Sequence, residues 1–474
     1  MDDLSRPRRR GRRLSAGLSG LAAGVLAGGA ALALAGVAVA TRTGPAPEVD
    51  PGALVEAAHL PPLLTAPGEP AGLRYDIYCA AQGSDPESGA PCDAGGTVYV
   101  RAGQAGVFRA VPLRLDAGAA EGRYVAELPR EIAGSPAGFS YYAVVRNQSS
   151  GASLTLPAGG PAAPQRSVPL AHTAAVSLGR HGFGSTRRAD ARVAAAAWGD
   201  RPDQVGLEGG PEVQPVGASA FDVDAAGTVT VLDQAHRRVL RWAPGARNPD
   251  AVPLAIGGTL ADMSVAPDGT IYVLESVGSE PGRAPLLRSF DATGRARGEW
   301  AVAERTASQV RIGPAGPVTL QYPSGQWMPV AERGLALAKG AQVSRGQSGR
   351  PLRDGGEVVV LRSGREVRVA LAGENGVRRS WRIASDTDVA EVQLAEPLGG
   401  GAVVVLRVYT ETDDQFVVLV LDAGGIAQRF AVDSADWAET APLTRFRLAG
   451  SSLYQLGSTE AGIFVDRFDL EVRR

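Results

Sequence analysis

One turn-and-strand unit recurs six times between Gly227 and the C-terminus, and a chain that repeats a β-unit must pack the copies against one another. The copies are TVTVL after Gly227, TIYVL after Gly269, PVTLQ after Gly316, EVVVL after Gly356, AVVVL after Gly401 and SLYQL after Ser451, with successive anchors 40 to 50 residues apart. That is the spacing of four-stranded antiparallel units. A second series sits downstream of the first: RVLRWAPG, LLRSFDATG, WMPVAERG, VRVALAGENG, VVLVLDAGG and FVDRFDLEV. These read as third strands, and Trp300 to Val302, Trp381 to Ile383 and Phe430 to Val432 as fourth strands. In the first copy, Phe221, Val223, Val229, Val231, Val239 and Trp242 alternate as half-buried strands do. A four-stranded sheet cannot bury both faces alone, so six packed radially is the expected solution.

The sixth copy stops at Arg474 with three strands. The missing edge must come from elsewhere, because an open edge leaves a row of backbone donors and acceptors unpaired. The segment Arg188 to Trp198, which precedes the first full copy and ends in an aromatic, is expected to pair antiparallel with Ile463 to Val472 and join the ends of the ring.

Upstream, five short strands with Gly and Pro turns fill Leu73 to about Leu156: LRYDIYCA, GTVYVRAG, GVFRAVPLRL, GRYVAELP and FSYYAVVRN. They predict a small sandwich. Val98 to Arg101, Phe108 to Leu113, Tyr124 to Pro129 and Phe139 to Val145 resemble the immunoglobulin-like and fibronectin type III-like modules of extracellular bacterial proteins. The resemblance implies a spacer or a contact module and no chemistry. Cys79 and Cys92, the only cysteines, fall near the ends of two strands that can pair, which outside the cytoplasm favours a disulfide. Two thiols with no nearby His leave a zinc short of ligands. Asn147-Gln148-Ser149 matches a glycosylation sequon, a pattern common by chance.

The N-terminus carries location. Met1 to Arg13 holds six arginines and two aspartates, a net +4, which leaves −6 for the rest of the −2 chain. An acidic body lacks the clustered positive charge that phosphate contacts need, so no nucleic-acid partner is expected. The arginines precede 27 uncharged residues, Leu14 to Ala40, which places them in the cytoplasm and all that follows outside. Length favours a retained membrane anchor; Ala38-Val39-Ala40 has the form of a signal-peptidase site, which would make the protein secreted. The expected organisation is a basic terminus with anchor or signal at 1–40, a Pro- and Ala-rich linker at 41–72, the sandwich at 73–165, a second linker at 157–169, and the repeats at 171–474. His59, in the first linker, reads as solvated.

From Trp198 to Trp242 the chain resembles the NHL-repeat propeller family. Asp224 matches the strand-ending Asp of that repeat, Gly227 the turn, Asp233 the next Asp and Arg238 the Arg, while His236 stands where Asn is usual. In the second copy Glu275 replaces Asp233 and Leu286 falls where Arg238 would be. The resemblance implies that Asp233 and Arg238 fix a loop by a charge-assisted hydrogen bond. The fold expected is therefore all-β: a six-bladed β-propeller with an N-terminal immunoglobulin-like sandwich and an anchor or signal helix.

The same resemblance implies that the loops joining second to third strands share a rim with the entries to the innermost strands, and loops carry most recognition. The candidate binding residues there are His236, Arg237, Glu280, Tyr322, Trp327, Asp413 and Asp414, with Ser276 to Pro285 the longest loop. The role expected is an extracytoplasmic binding or scaffold protein for a protein or glycan ligand, with the cell wall as one such surface. Some six-bladed propellers are metal-dependent lactonases, so a hydrolase, lactonase or lyase is the alternative. It would require three or four carboxylates and Asn converging on one point, at the oxygen-ligand distances of calcium. Calcium is the one cofactor considered, and no motif specifies it.

Overall fold

A computed structural model describes residues 54–59, 64–65, 71–80, 90–91, 93–116, 122–170, 173–209, 214–257, 260–275, 285–302, 307–313, 316–321, 326–332, 335–336, 349–352, 355–373, 376–441 and 445–471. The basic terminus, the 14–40 span, Cys92, His172, Glu280 and Tyr322 lie outside these residues. Among the described residues no helix is long and apolar enough to cross a membrane. The chain is all-β, with one four-residue helix, Arg130–Ala133, and one short 3-10 turn described.

Two five-stranded sheets form the N-terminal module. In one, Gly72–Ala80 pairs with Leu54–Ala58 on one side and Arg123–Glu127 on the other. In the other, Phe139–Asn147 pairs with Ala94–Ala102, Ser153–Leu156 and Gln165–Arg166. Alternate residues face inward, so Leu73, Tyr75 and Ile77 of the first sheet meet Val98, Val100, Tyr141 and Val145 of the second in one core.

Both linkers carry strands that composition concealed. Leu54–Ala58 extends the first sheet, and Leu64–Thr65 pairs in parallel with Val168–Pro169. Proline is tolerated at such edges, so Pro-rich segments still complete a sheet. Leu64, Val168 and Leu170 then pack on Val359 and Ala370 of the repeat region. His59 is accordingly no solvated linker residue. Its ring stacks on Tyr75 at 4.3 Å, and its nitrogens lie 2.7 Å from the Arg74 carbonyl and 2.8 Å from the Tyr141 hydroxyl. Asn147 is buried and bonds inward to Cys79 Sγ at 3.1 Å, so the sequon is not a surface acceptor. No described cysteine is free.

Among the described residues, six sheets of three to five strands follow in series. Sheet 1 comprises Ala220–Val223, Val229–Asp233, Arg238–Trp242 and Asp250–Pro253; sheet 2, Leu260–Val265, Ile271–Glu275, Leu286–Phe290 and Ala296–Ala301. Sheet 3 comprises Ala307–Gly313, Gly316–Gln321 and Gln326–Pro329; sheet 4, Arg350–Pro351, Glu357–Ser363, Glu366–Gly373 and Gly376–Ala384. Sheet 5 comprises Asp388–Leu398, Gly401–Tyr409, Asp414–Asp422 and Gly425–Asp433; sheet 6, Phe446–Ala449, Ser452–Thr459 and Gly462–Asp469.

The first strands neighbour one another from sheet 1 to 2, 2 to 3 and 5 to 6, and that of sheet 6 returns to that of sheet 1. Sheet 3 meets sheet 4 through Gln326–Pro329 and Arg350–Pro351. This closed circuit is a β-propeller arrangement. Separate apolar clusters fill the joints: Met263 with Leu232 between sheets 1 and 2, Val310 with Leu274 between 2 and 3, Trp381 with Val404 between 4 and 5, Phe446 with Phe416 between 5 and 6, and Phe221 with Leu456 between 6 and 1. Middle strands are thereby covered on both faces. Val229–Asp233 is buried at every position, where the alternation had predicted one-sided burial.

The segment ahead of sheet 1 runs along the outer edges of three sheets. Thr173–Ser177 adds in parallel to Gly376–Ala384 of sheet 4. Next, the Arg187 amide donates to the Ala431 carbonyl of sheet 5 at 2.8 Å. Finally Ala191–Ala197 pairs antiparallel with Gly462–Asp469 of sheet 6, from Ala191 opposite Arg467 to Ala197 opposite Gly462. The last ladder is the expected closure; the parallel strand on sheet 4 has no counterpart in the sequence pattern.

Candidate functional site

Each of the six first strands supplies one charged residue to the polar interior of the ring: Asp222, Asp262, Arg311, Arg350, Glu396 and Arg447. Asp222 Oδ2 accepts from the Val265 amide at 2.7 Å and from Ser264 at 3.2 Å, both on sheet 2. Asp262 Oδ2 accepts from the Val310 amide at 3.1 Å and from Arg311 at 2.5 Å, both on sheet 3. Arg447 reaches Asp262 at 3.3 Å and Asp222 at 3.5 Å, while Arg350 holds Glu396 at 2.5 Å. The Arg447 side chain is 8% exposed. Among the described residues its Nη1 has no hydrogen-bond partner. Desolvation, followed by repulsion from Arg311, lowers its pKa from the ordinary arginine value. The charges tie different sheets together, Arg447 reaching both sheet 1 and sheet 2, a low-dielectric arrangement in which each ion requires its partner.

The rim where first strands begin also carries the turns between second and third strands. At sheet 1, Asp233 is 0% exposed and accepts from three donors: His236 Nδ1 at 2.7 Å, Arg238 Nε at 2.9 Å and the Gly206 amide at 3.2 Å. Arg238 also donates to the carbonyls of Arg201 and Gln204. Asp233 and Arg238 thus fasten the 199–206 loop, the role that the repeat resemblance implies. His236 Nε2 lies 3.2 Å from the exposed carboxylate of Asp200, and Arg237 is exposed at φ 52°, a turn residue.

On sheet 5, Asp414 is bound to Arg407 and Ser434. Burial works to raise its pKa, but those hydrogen bonds outweigh it and leave the pKa below the usual carboxylate value. Asp413 is exposed and accepts from Thr412 at 2.7 Å. Trp327 is 7% exposed, a packed residue and not an edge offered to a ligand. Glu280, Tyr322 and the 276–284 loop lie outside the described residues. The rim therefore joins His236 with Asp200, leaves Arg237 exposed on the adjoining turn, and places Asp413 and Asp414 separately on sheet 5.

Two further residues stand on this rim, of which Trp198 enters the sequence pattern only as the end of the closing strand and Trp437 not at all. Trp198 and Trp437 lie with ring centroids 6.0 Å apart, and Trp437 is 39% exposed. The one available signal was rarity, since tryptophan occurs six times in the chain. Trp437 falls between repeats, where strand periodicity says nothing.

On the opposite rim, a cleft of about 410 Å³ on sheet 2 is lined by Asp268, Thr270, Tyr272, Ser289, Asp291 and Trp300 among others. Hydrogen bonds from Thr293 above all pull the Asp291 pKa down to about 2. Among the described residues no group of three or more His, Cys, Asp or Glu is placed to hold a metal ion.

No family model matches the sequence, and no curated protein matches it. Solved structures with a similar fold include virginiamycin B lyase from Staphylococcus aureus, at 9% identity and a TM-score of 0.33, over 54% of this chain and 96% of that one. A luciferin-regenerating enzyme aligns at 10% identity and 0.32, over 54% and 92%. YCF48 bound to D1 peptide aligns at 9% and 0.31, over 62% and 99%. Enzymes and a peptide-bound protein occur side by side in this group, and likeness at such TM-scores carries no inference about what this chain does.

Proposed function

We propose that residues 171–474 form a six-bladed propeller of the NHL-repeat type, held outside the cytoplasm behind an immunoglobulin- or fibronectin-like sandwich, and that the protein binds or scaffolds a protein or glycan ligand through the entry rim. One observation carries this reading. The channel carboxylates Asp222 and Asp262 are taken up by arginines and amides of neighbouring sheets, whereas exposed side chains of mixed chemistry, among them Asp200, Arg237, Asp413 and Trp437, stand on the rim. A metal-dependent hydrolase, lactonase or lyase would instead turn free carboxylates toward a common point. In this reading Leu14 to Ala40 anchors or exports the chain, and Cys79 bridges to Cys92 in the oxidising compartment.

The test is site-specific photo-crosslinking in the native cell. A photoreactive residue at position 413 is expected to form discrete adducts with an envelope protein or glycan, and one at position 268 on the opposite rim none. Adducts from 268 alone, or from neither position, would overturn the assignment of the binding face.

A further inference from the structure

The tryptophan pair on the entry rim is built, not incidental. Trp198 follows the closing strand, and its indole N–H donates to the Thr459 carbonyl at 2.9 Å. Its ring lies so close over Gly217 that a Cβ there would come within 2.8 Å of it. Trp437 sits on the loop entering sheet 6, and hydrogen bonds hold the residues that follow it, Ala438 to Ala441. The Ala438 amide donates to Ser458 at 2.9 Å, the Glu439 amide to the Pro215 carbonyl at 2.8 Å, and the Ala441 amide to the Ala218 carbonyl at 2.9 Å. In return the Gly217 amide donates to the Glu439 carbonyl at 2.9 Å. The rings are tilted by 35°, and Trp437 keeps 39% of its surface in solvent.

Charge around the pair has one dominant sign. Asp200 follows Trp198 by two residues and is fully exposed; Glu460, also exposed, adjoins the carbonyl that holds Trp198; Glu439 lies on the Trp437 loop. The cationic groups nearby are fewer: Arg201, 3.9 Å from Asp203, the exposed Arg237, and His236, whose Nε2 lies 3.2 Å from Asp200. An indole face is electron-rich and attracts a cation, and surrounding carboxylates add Coulomb attraction at the same place.

From this complementarity we infer that the Trp198–Trp437 platform is a docking site for a cationic peptide segment, with a lysine or arginine side chain set against the indole rings. The inference deepens the entry-rim reading and rests on it. A glycan also stacks on tryptophan, but a neutral sugar gives the excess of carboxylate no partner.

The experiment measures binding of a fluorescein-labelled hexalysine peptide to the full-length protein, with hexaglutamate and an N-acetylglucosamine oligosaccharide as competing probes. Hexalysine alone is expected to bind, more weakly as salt rises. Trp437→Ala should weaken it by about 3- to 30-fold, the range set by a cation over an indole face. Trp437→Phe should restore part of that loss and Asp200→Asn lower affinity by a smaller factor, with melting temperatures checked for all three. Oligosaccharide binding that depends on Trp437 in place of hexalysine binding would overturn the cationic assignment and leave the entry rim standing. Hexalysine binding indifferent to these variants but lost in Asp268→Asn/Asp291→Asn would overturn both, and no binding of either probe would overturn the docking site.

Discussion

Arg447 is the residue on which the interior of the ring turns, since its guanidinium on sheet 6 meets carboxylates from sheets 1 and 2. Removing one member of a buried ion network leaves its partners uncompensated, so Arg447→Met should cost about 3–5 kcal/mol in denaturant unfolding. Asp262 would still hold Arg311. Arg447→Met combined with Asp262→Asn should therefore cost less than the two single changes added together, and strict additivity would show that the ring is not coupled. His59 makes a prediction of opposite electrostatic character. Desolvation lowers its pKa from 6.5 to about 4, against the Arg74 carbonyl that raises it, although part of the residue stays accessible. The folded state thus refuses a proton that the unfolded state takes up below pH 6.5. Stability from this group is present above pH 6.5 and is lost as pH falls toward 4, by at most about 3 kcal/mol. Melting curves between pH 4 and 7 should show that loss in the native chain and a flatter profile in His59→Gln.

At the scale of elements, the turn after Val229–Asp233 and the closing ladder differ in what holds them. Asp233 has no solvent to fall back on, and its three donors come from two segments of chain. Asp233→Ala should cost about 3 kcal/mol by stranding Arg238, and amide exchange should quicken through 199–206 while the strands of sheet 4 stay protected. If exchange in that loop is unchanged, Asp233 is not its fastener. The closing ladder depends on backbone proximity instead. Gly462 has φ 153°, and a Cβ there would approach the Ala196 carbonyl oxygen to 2.0 Å. Gly462→Ala should push the closing strand away and destabilise the chain by about 1–3 kcal/mol, read as a lowered melting temperature.

For the whole molecule, the run from Thr173 to Ala197 fastens the outer edges of sheets 4, 5 and 6, so the ring is joined at more than its two ends. Deleting Ala189 to Trp198 should abolish single-transition unfolding of the repeat region, leaving sheet 6 with an open edge. A single sharp transition in the deletion variant would mean that the parallel strand on sheet 4 suffices for closure. Location is tested at the same scale: a reporter active only in the cytoplasm, fused after Arg474, should be silent.

The strands of the repeats are legible in local sequence alone. TVTVL, TIYVL, EVVVL and AVVVL lie in second strands of their sheets, Trp300, Trp381 and Phe430 in fourth strands, and Arg188 to Trp198 contains the closing strand. Local alternation and turn glycines are enough for that, because they act within a few residues. Tertiary structure decided what depends on neighbours. The strands hidden in Leu54–Ala58 and Val168–Pro169 exist because another strand offers them an edge, and His59 is enclosed because Tyr75 and Tyr141 surround it. Asp222, Asp262, Arg311 and Arg447, drawn from first strands up to 225 residues apart, meet in the interior, and two tryptophans from opposite ends of the repeat region meet on a rim, only once the ring closes. Periodicity records which face a residue occupies within its own strand; which residue stands opposite is set by the path of the chain around the ring.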